Sequence, residues 1–364
     1  MVISEAFWRG RRVLLTGHTG FKGAWTTLVL HRLGAAICGL ALPPDHDNGL
    51  FVTADLASDL DHHVGDINDL AAVGAVFARF RPEIVLHMAA QSLVRKSYAD
   101  PVDTFATNVL GTVHVLEAAR RSPGVRAVIV VTSDKCYENT GLARGYVEAD
   151  RLGGADPYSS SKACAELVAE SYRRSYFAAE DALRVATVRA GNVIGGGDWS
   201  ADRLVPDAVT AFTKSAPLSI RSPHAIRPWQ HVLDPVLGYL MLAERLVRDG
   251  KPHAQAWNFG PDHASEVTVG EIADQLVRRW GGTASWRHDA GEHPHEAAYL
   301  RLDSSKARSG LGWRPALALG DALDLTVAWY RQWAAGADMR KAALTQIDRV
   351  LENSSMRASQ AIHA

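Results

Sequence analysis

Apolar and polar positions along the chain follow two rhythms. Short apolar runs bounded by Gly, Pro or charged residues fit strands buried on both faces: RRVLLTG at 11–17, AAICGLALP at 35–43, EIVLHMAA at 83–90 and AVIVV at 127–131. Between them, apolar residues recur at helical spacing in FKGAWTTLVLHRLG (21–34), closed by Gly34, and from about Asp103 to Arg120. PYSSSKACAELVAESYRRSYF (157–177) reads as a further helix with Pro157 near its first turn, and RVATVRAGNVIG (184–195) as one more strand. Strands alternating with helices in this way imply right-handed βαβ crossovers and an α/β fold with a doubly wound parallel sheet.

After Gly195 the rhythm breaks. GGGDWSADRLVPD (195–207) is loop-rich, and later strand and helix signals mix irregularly, which predicts a smaller mixed α/β domain at the C-terminal edge of the sheet. QAWNFGP (255–261) returns to a core-strand pattern, so the chain is expected to pass between the domains more than once. The expected division is a first domain over 1–192 with a later contribution from about 229–262, and a second over 193–228 and 263–345. From about Ala335 a short helical pattern is expected and then fraying, with 346–364 as the tail.

Composition narrows the function classes. A 364-residue chain with 47% hydrophobic and 22% charged residues is long enough for two domains. Its formal net charge of -1 leaves no electrostatic footprint for nucleic acid or an anionic membrane, and no apolar run approaches the length of a membrane span. The opening residues MVISEAFWRGRR lack the apolar core of a signal peptide, so a cytoplasmic protein is expected. Cys38, Cys136 and Cys164 are widely spaced with no CxxC and read as reduced packing thiols, with no metal site expected.

VLLTGHTGFKGAW sets Gly17, Gly20 and Gly23 at the first strand-to-helix turn. Glycines there permit a tight turn and close backbone approach to a pyrophosphate, and the helix start at Phe21 offers free N–H groups. His18 and Lys22 add positive charge beside the phosphates. This is the expected dinucleotide site of a Rossmann-type sheet. The second strand, continuing as LALPPDHD, ends without an obvious carboxylate for a ribose 2′-hydroxyl, since Asp45 comes late, and no arginine sits there for a 2′-phosphate; NAD is the expected cofactor. The GxxGxxG spacing resembles the short-chain dehydrogenase/reductase superfamily. That resemblance sets Asp66 and Ile67 of VGDIND at the adenine edge, and Ala89, Ala90 and Gln91 of HMAAQS along the adenosine and nicotinamide ribose.

The run AVIVV ends in Thr132-Ser133-Asp134-Lys135, so a buried strand delivers a hydroxyl, an acid and an amine to one place. Tyr158 and Lys162 form YxxxK, four apart on one helix face. Lys162 and a nicotinamide cation are expected to lower the Tyr158 pKa, making it a base for an alcohol that gives up hydride, with Ser133 hydrogen-bonded to that alcohol.

Alcohol oxidation leaves Asp134 and Lys135 without a task. They resemble the pair in the extended short-chain enzymes acting on nucleotide sugars, whose dehydratases carry an acid and a base directly after that hydroxyl: mostly Thr-Asp-Glu, but Ser-Asp-Lys in the branch acting on CDP-glucose. TGHTGFKGAW, TSDKCYEN, DPYSSSKACAE, RAGNVIGGGDW, IRPWQHVLDP, WNFGP and HPHEA extend the likeness to roughly residue 345. The resemblance implies NAD-dependent conversion of CDP-D-glucose to CDP-4-keto-6-deoxy-D-glucose and water, for deoxysugar biosynthesis. It implies Asp134 as the acid at the C6 hydroxyl and Lys135 as the base at C5. A lysine base must be neutral against an ordinary pKa of about 10.4, so burial and Lys162 would have to depress it.

The same resemblance implies Arg227 on the substrate diphosphate, Asn192 beside it, Arg203 as a further contact, and Glu296 and Tyr299 near the cytidine. His293 and His295 lack the partners of a metal site. Trp199, Trp229 and Trp257 read equally as core or as base-stacking residues. A homodimer is expected through the helices near Asp103–Arg120 and Ser161–Ser175. Two other readings stand beside this one: a nucleotide-sugar epimerase or decarboxylase, which has no use for an acid–base pair aimed at C5 and C6, and a silent dinucleotide sensor, which would not need YxxxK.

Overall fold

The structure, a computed structural model, describes residues 3–142, 144–180, 182–291 and 300–360. The strands of its first half are β1 (Arg12–Thr16), β2 (Ala36–Ala41), β3 (Asp61–Val64), β4 (Ile84–His87), β5 (Ala127–Val131) and β6 (Arg184–Arg189). Later come β7 (Asn192–Ile194), β8 (Leu218–Ile220), β9 (Ile226–His231), β10 (Ala256–Asn258), β11 (Glu266–Thr268) and β12 (Trp286–His288). Seven of them form one sheet in the order β10-β6-β5-β4-β1-β2-β3, with every neighbouring pair parallel. This is the doubly wound sheet expected from the alternation. The order reverses between β1 and β4, and a ligand crevice belongs outside the strand ends at that switch.

Alternate side chains of the sheet enter two cores. Val13, Leu15, Leu86 and Ile129 face the helices Phe21–Arg32 and Leu233–Asp249. Leu14, Leu40, Val85 and Val128 face Val73 and Phe77 of Leu70–Phe80 and Val115 of Gly111–Arg120. The polar edge strand β3 and the Leu70–Phe80 helix, capped by Asp69 through the N–H groups of Ala71 and Ala72, complete one wing of the sheet.

Three expectations need correcting. The single strand expected over 184–195 is two: β6 ends in the large sheet, and β7 joins a three-stranded sheet ordered β11-β9-β7. Gly191 stands at the break, where a Cβ would lie 2.8 Å from Pro228 and 2.9 Å from the Asp134 carboxylate, so only glycine fits. The helix expected from Asp103 starts earlier, at Pro101 behind its Asp100 cap, and carries a π-helical turn over Ala106–Leu110 before continuing as Gly111–Arg120. The tail does not fray from 346: a helix runs Met339–Gln360, and Ala343, Ile347 and Val350 are buried in the main core.

The smaller region contains the β11-β9-β7 sheet and the β12-β8 pair. The chain then returns to the large sheet through Leu233–Asp249, which packs on β5 and β6, and through β10. Among the described residues no helix is long and apolar enough to cross a membrane.

Candidate active site

The glycine turn has the shape its sequence suggests. Gly17 adopts φ +76°, and a Cβ on it would come within 2.6 Å of the Ala89 nitrogen. A Cβ on Gly23 would lie 2.1 Å from the Gly17 carbonyl oxygen, so the helix can sit this close only with glycine there. Gly20 caps the Phe21–Arg32 helix with no side-chain hydrogen bond, leaving first-turn N–H groups to a ligand anion. A cradle that side chains would fill, at a bare helix start on the switch point, fits a dinucleotide pyrophosphate.

His18 does not supply charge to that cradle. It is fully buried against Gly39 and the edge of Phe51, and its Nε2 lies 2.7 Å from His62 Nδ1. Burial first, and His62 second, push its pKa down to about 3, so the ring is neutral. Lys22 lies 3.5 Å from the Tyr239 hydroxyl and is held at about 8 by burial, Arg203 and Lys162, while Asp134 acts in the opposite sense. Its amine thus belongs to the cluster around Asp134.

Asp66 is exposed after β3 and accepts from Asn68 N–H at 2.9 Å. Ile67 turns its side chain into the core under Gly111. Ala89 and Ala90 are half-buried at the end of β4, where Ala89 N–H donates to Thr16 Oγ1 at 3.2 Å. The Gln91 side chain is consumed internally: it donates to Thr104 Oγ1 at 2.9 Å and accepts from Leu93 N–H at 2.6 Å. Asn108, within the π-helical turn, accepts from Gln91 N–H and donates to its carbonyl and to Ser161 Oγ. Gln91 therefore pins the loop, and its side chain offers a cofactor nothing.

β5 delivers Ser133, Asp134 and Lys135 beside Tyr158 and Lys162 of the helix Pro157–Ser175. Ser133 Oγ donates to Asp134 Oδ1 at 3.0 Å and accepts from Lys135 N–H at 3.2 Å, and it lies near enough to Tyr158 to lower the phenol's pKa. Asp134 is 5% exposed; burial raises its pKa against the pull of Lys135, Ser133 and Arg227. Tyr158 is pushed up to about 12, again by burial first, with Ser133 lowering it and Asp134 raising it. The protein's own groups thus move this phenol opposite to the expected direction, because removal from water outweighs the nearby cations. Burial holds Lys162 down at about 8, with its Nζ 3.4 Å from the Val131 carbonyl. Lys135 is half-buried, and among the described residues no ion pair joins it to Asp134.

On the substrate side, Asn192 opens β7 opposite Trp229 of β9. Arg227 stands on β9, close enough for its charge to act on Asp134. Arg203 precedes the helix Leu204–Thr213, paired with Asp198 at 2.9 Å and donating to Ser92 Oγ at 3.2 Å; its charge reaches Tyr158 and Lys22. Trp229 and Trp257 are core residues, and Trp199 packs half-buried on Tyr330 and Trp333. Glu296 and Tyr299, with His293 and His295, lie outside the described residues.

Sequence reasoning missed the support behind the site. Glu166, one turn beyond Lys162, accepts from Arg189 Nε at 2.8 Å, Arg189 Nη2 at 2.9 Å, and the hydroxyls of Thr132 and Thr187 at 2.6 Å each. Arg189 continues to the Tyr137 hydroxyl at 2.7 Å, which donates to Asn258 Oδ1. A carboxylate at the fourth position after Lys162 on the same helix was the available signal; its partners come from β6 and from the residue after β5.

Residues 13–260 match the NAD dependent epimerase/dehydratase family. The chain is 48% identical over 342 residues to the CDP-glucose 4,6-dehydratase of Salmonella typhimurium, covering 93% of this chain and 95% of that protein. It is 28% identical over 326 residues to the UDP-glucose 4-epimerase of Mycolicibacterium smegmatis, covering 88% and 98%. Among solved structures, a dTDP-glucose 4,6-dehydratase from Streptomyces venezuelae with NAD and TYD bound superposes with a TM-score of 0.74 at 25% identity, over 90% of this chain and 99% of that one.

Proposed function

Since the chain belongs to the NAD dependent epimerase/dehydratase family, we propose that it is a hydro-lyase converting CDP-D-glucose to CDP-4-keto-6-deoxy-D-glucose and water. The observation that carries this reading is Asp134: a buried carboxyl with a raised pKa, hydrogen-bonded by Ser133 and close enough to Tyr158 for its charge to act on the phenol. A carboxyl so placed is ready to donate a proton, which loss of the C6 hydroxyl requires and inversion at C4 does not. The 48% identity to a CDP-glucose 4,6-dehydratase supports the nucleotide and the sugar.

NAD is the cofactor, and when bound it supplies the hydride acceptance and return that link C4 to C6. Gly17, Gly20, Phe21, Lys22 and Gly23 form its pyrophosphate end, and Asp66, Ile67 and the Ala89–Gln91 backbone its nucleoside walls. Tyr158 takes the O4 proton, with Lys162 beneath it stabilising the phenolate. Ketone formation at C4 makes the C5 proton acidic; Lys135 removes it while Asp134 protonates the departing C6 hydroxyl. Arg227, Asn192 and Arg203 hold the diphosphate. Residues 1–192 and about 229–262 thus serve the cofactor, and 193–228 with 263–345 serve the nucleotide sugar.

The protein works in the cytoplasm as a homodimer, with no nucleic-acid or membrane partner. Its mating face is the apolar strip of Val102, Phe105, Leu110 and Leu167, each more than a third exposed on two adjacent helices.

The test is incubation with CDP-, UDP-, dTDP- and GDP-hexoses, followed by mass spectrometry. Loss of one water from CDP-glucose alone is expected. Deuterium at C4 should reappear in the product's methyl group; label lost to solvent or left at C4 rejects the reading.

A further inference from the structure

The edge of the large sheet carries a second group of chemistry-bearing side chains, which the proposed reaction leaves unused. β3 pairs with β2 in parallel register, with Cys38 opposite Asp61 and Leu40 opposite His63. Register partners, and residues two apart on a strand, share one face of a sheet, so Cys38, Asp61 and His63 project together from two neighbouring strands. The thiol sulfur, a carboxylate oxygen and an imidazole nitrogen all lie within 4.8 Å of one another. Cys38 is a free, fully buried thiol, and the other two side chains are half-buried. Sequence spacing concealed the trio, because its members come from different strands.

Ordinary partners do not use these groups up. His63 Nε2 stands 3.1 Å from Asp61 Oδ1, yet it is a buried nitrogen with no hydrogen-bond partner among the described residues. That separation is close to the spacing of two neighbouring ligands on a tetrahedral ion with metal–ligand bonds of about 2.0–2.2 Å. Arg79 reaches the same carboxylate only at 3.5 Å and is 69% exposed, so it can turn to the other oxygen or into water. The donor set decides which cation fits. One sulfur, one nitrogen and one oxygen suit a borderline-soft transition ion, whereas magnesium and calcium take oxygen ligands. Charge agrees, since a thiolate and a carboxylate together cancel two positive charges at a position partly removed from water.

We propose that Cys38, Asp61 and His63 form a binding site for a divalent transition ion of the zinc kind, which clips the edge strand β3 to β2. On binding, the Cys38 S–H bond breaks and its proton passes to solvent. The sulfur, an Asp61 carboxylate oxygen and His63 Nε2 each donate an electron pair to the ion, and water takes the fourth position. No electron is transferred, so no oxidant or reductant takes part. Burial first, and the Asp61 charge second, push the Cys38 thiol up to about 12, so the ion displaces a firmly held proton. β3 has four residues, is polar and pairs on one side only, and such an edge gains from a link to its neighbour. Cys38, expected from the sequence to be a packing thiol, thus has a second task. The site shares no residue with the catalytic groups and stands apart from the dehydratase reading.

The test uses the full chain with its thiols reduced and its metal stripped by a chelator that is then removed. Cobalt(II) serves as the coloured probe. Its titration should give the visible bands of a four-coordinate ion together with a near-ultraviolet thiolate-to-cobalt band, saturating at one ion per chain, and zinc should bleach both. Cys38→Ser should abolish the thiolate band, while Cys164→Ser, which removes a thiol elsewhere, should leave it. Asp61→Asn and His63→Ala should each weaken zinc binding in equilibrium dialysis by about 100-fold, since losing even a group that merely supports a ligand costs about 10–100-fold. Zinc should raise the melting temperature of the wild type, magnesium should not, and the rise should vanish in Cys38→Ser. If the serine variant fails to fold, His63→Ala on the half-buried edge strand carries the test through its zinc affinity. A wild type without the thiolate band, a band that survives Cys38→Ser, or zinc affinity unchanged in folded His63→Ala overturns the site.

Discussion

Lys162 and Glu166 are one helical turn apart, both buried, and they live under opposite regimes. Glu166 has four short hydrogen bonds from Arg189, Thr132 and Thr187, and these hold its pKa down despite burial. Lys162 has one long contact to a carbonyl, and burial pulls its pKa down to about 8. The first arrangement leaves no bonding capacity over, so it can hold strands in place but do no chemistry. The second leaves a charge under-compensated inside the protein, which is what a reacting group needs. Asp134 and Tyr158 follow Lys162 in this respect, each shifted toward its neutral form by removal from water.

The contrast can be broken by substitution. Tyr158→Phe should lower kcat about 1,000-fold and leave thermal stability close to wild type, as steady-state assays and melting curves would show. Glu166→Gln should do the reverse, sparing the reacting groups but leaving Arg189 buried without its counter-charge, and costing about 3–5 kcal/mol in urea unfolding. Thr187→Val removes a single bond to the same carboxylate and should cost about 2 kcal/mol. Lys162→Met should move stability with the opposite sign. The native pKa of about 8 lies below the ordinary 10.5, so the unfolded chain binds this proton more tightly. Stability from this group therefore rises with pH between about 8 and 10.5. The methionine variant, freed of a buried ammonium, should melt above wild type at pH 7, and scans across pH should show that advantage shrinking through the same window.

Much of this was legible in the chain. The glycine turn, the strand ending in Ser133-Asp134-Lys135, and YxxxK are local patterns that can be read in one pass along the chain, and together they carry the family resemblance. What escaped was non-local or disguised. The Asp61–Val64 strand reads Asp-His-His-Val, too polar for a core-strand signal, because it is the edge of the sheet. The break at Gly191 falls inside one strand-like run, and the residues that crowd it, Pro228 and Asp134, come from elsewhere in the chain. His18 sits in a phosphate-binding motif but is enclosed by Gly39 and Phe51, and enclosure decides its charge. The Glu166–Arg189 network joins the helix Pro157–Ser175 to β6, β10 and the segment after β5, and no single segment reveals it.

Gly191 also ties architecture to acidity. It is the point where the backbone leaves β6 in the large sheet for β7 in the small one, and its bare Cα faces Asp134 Oδ2. A side chain at this position would press on Pro228 and on that oxygen, so the exchange of sheets and the seat of the acid share the space that one absent methyl leaves open.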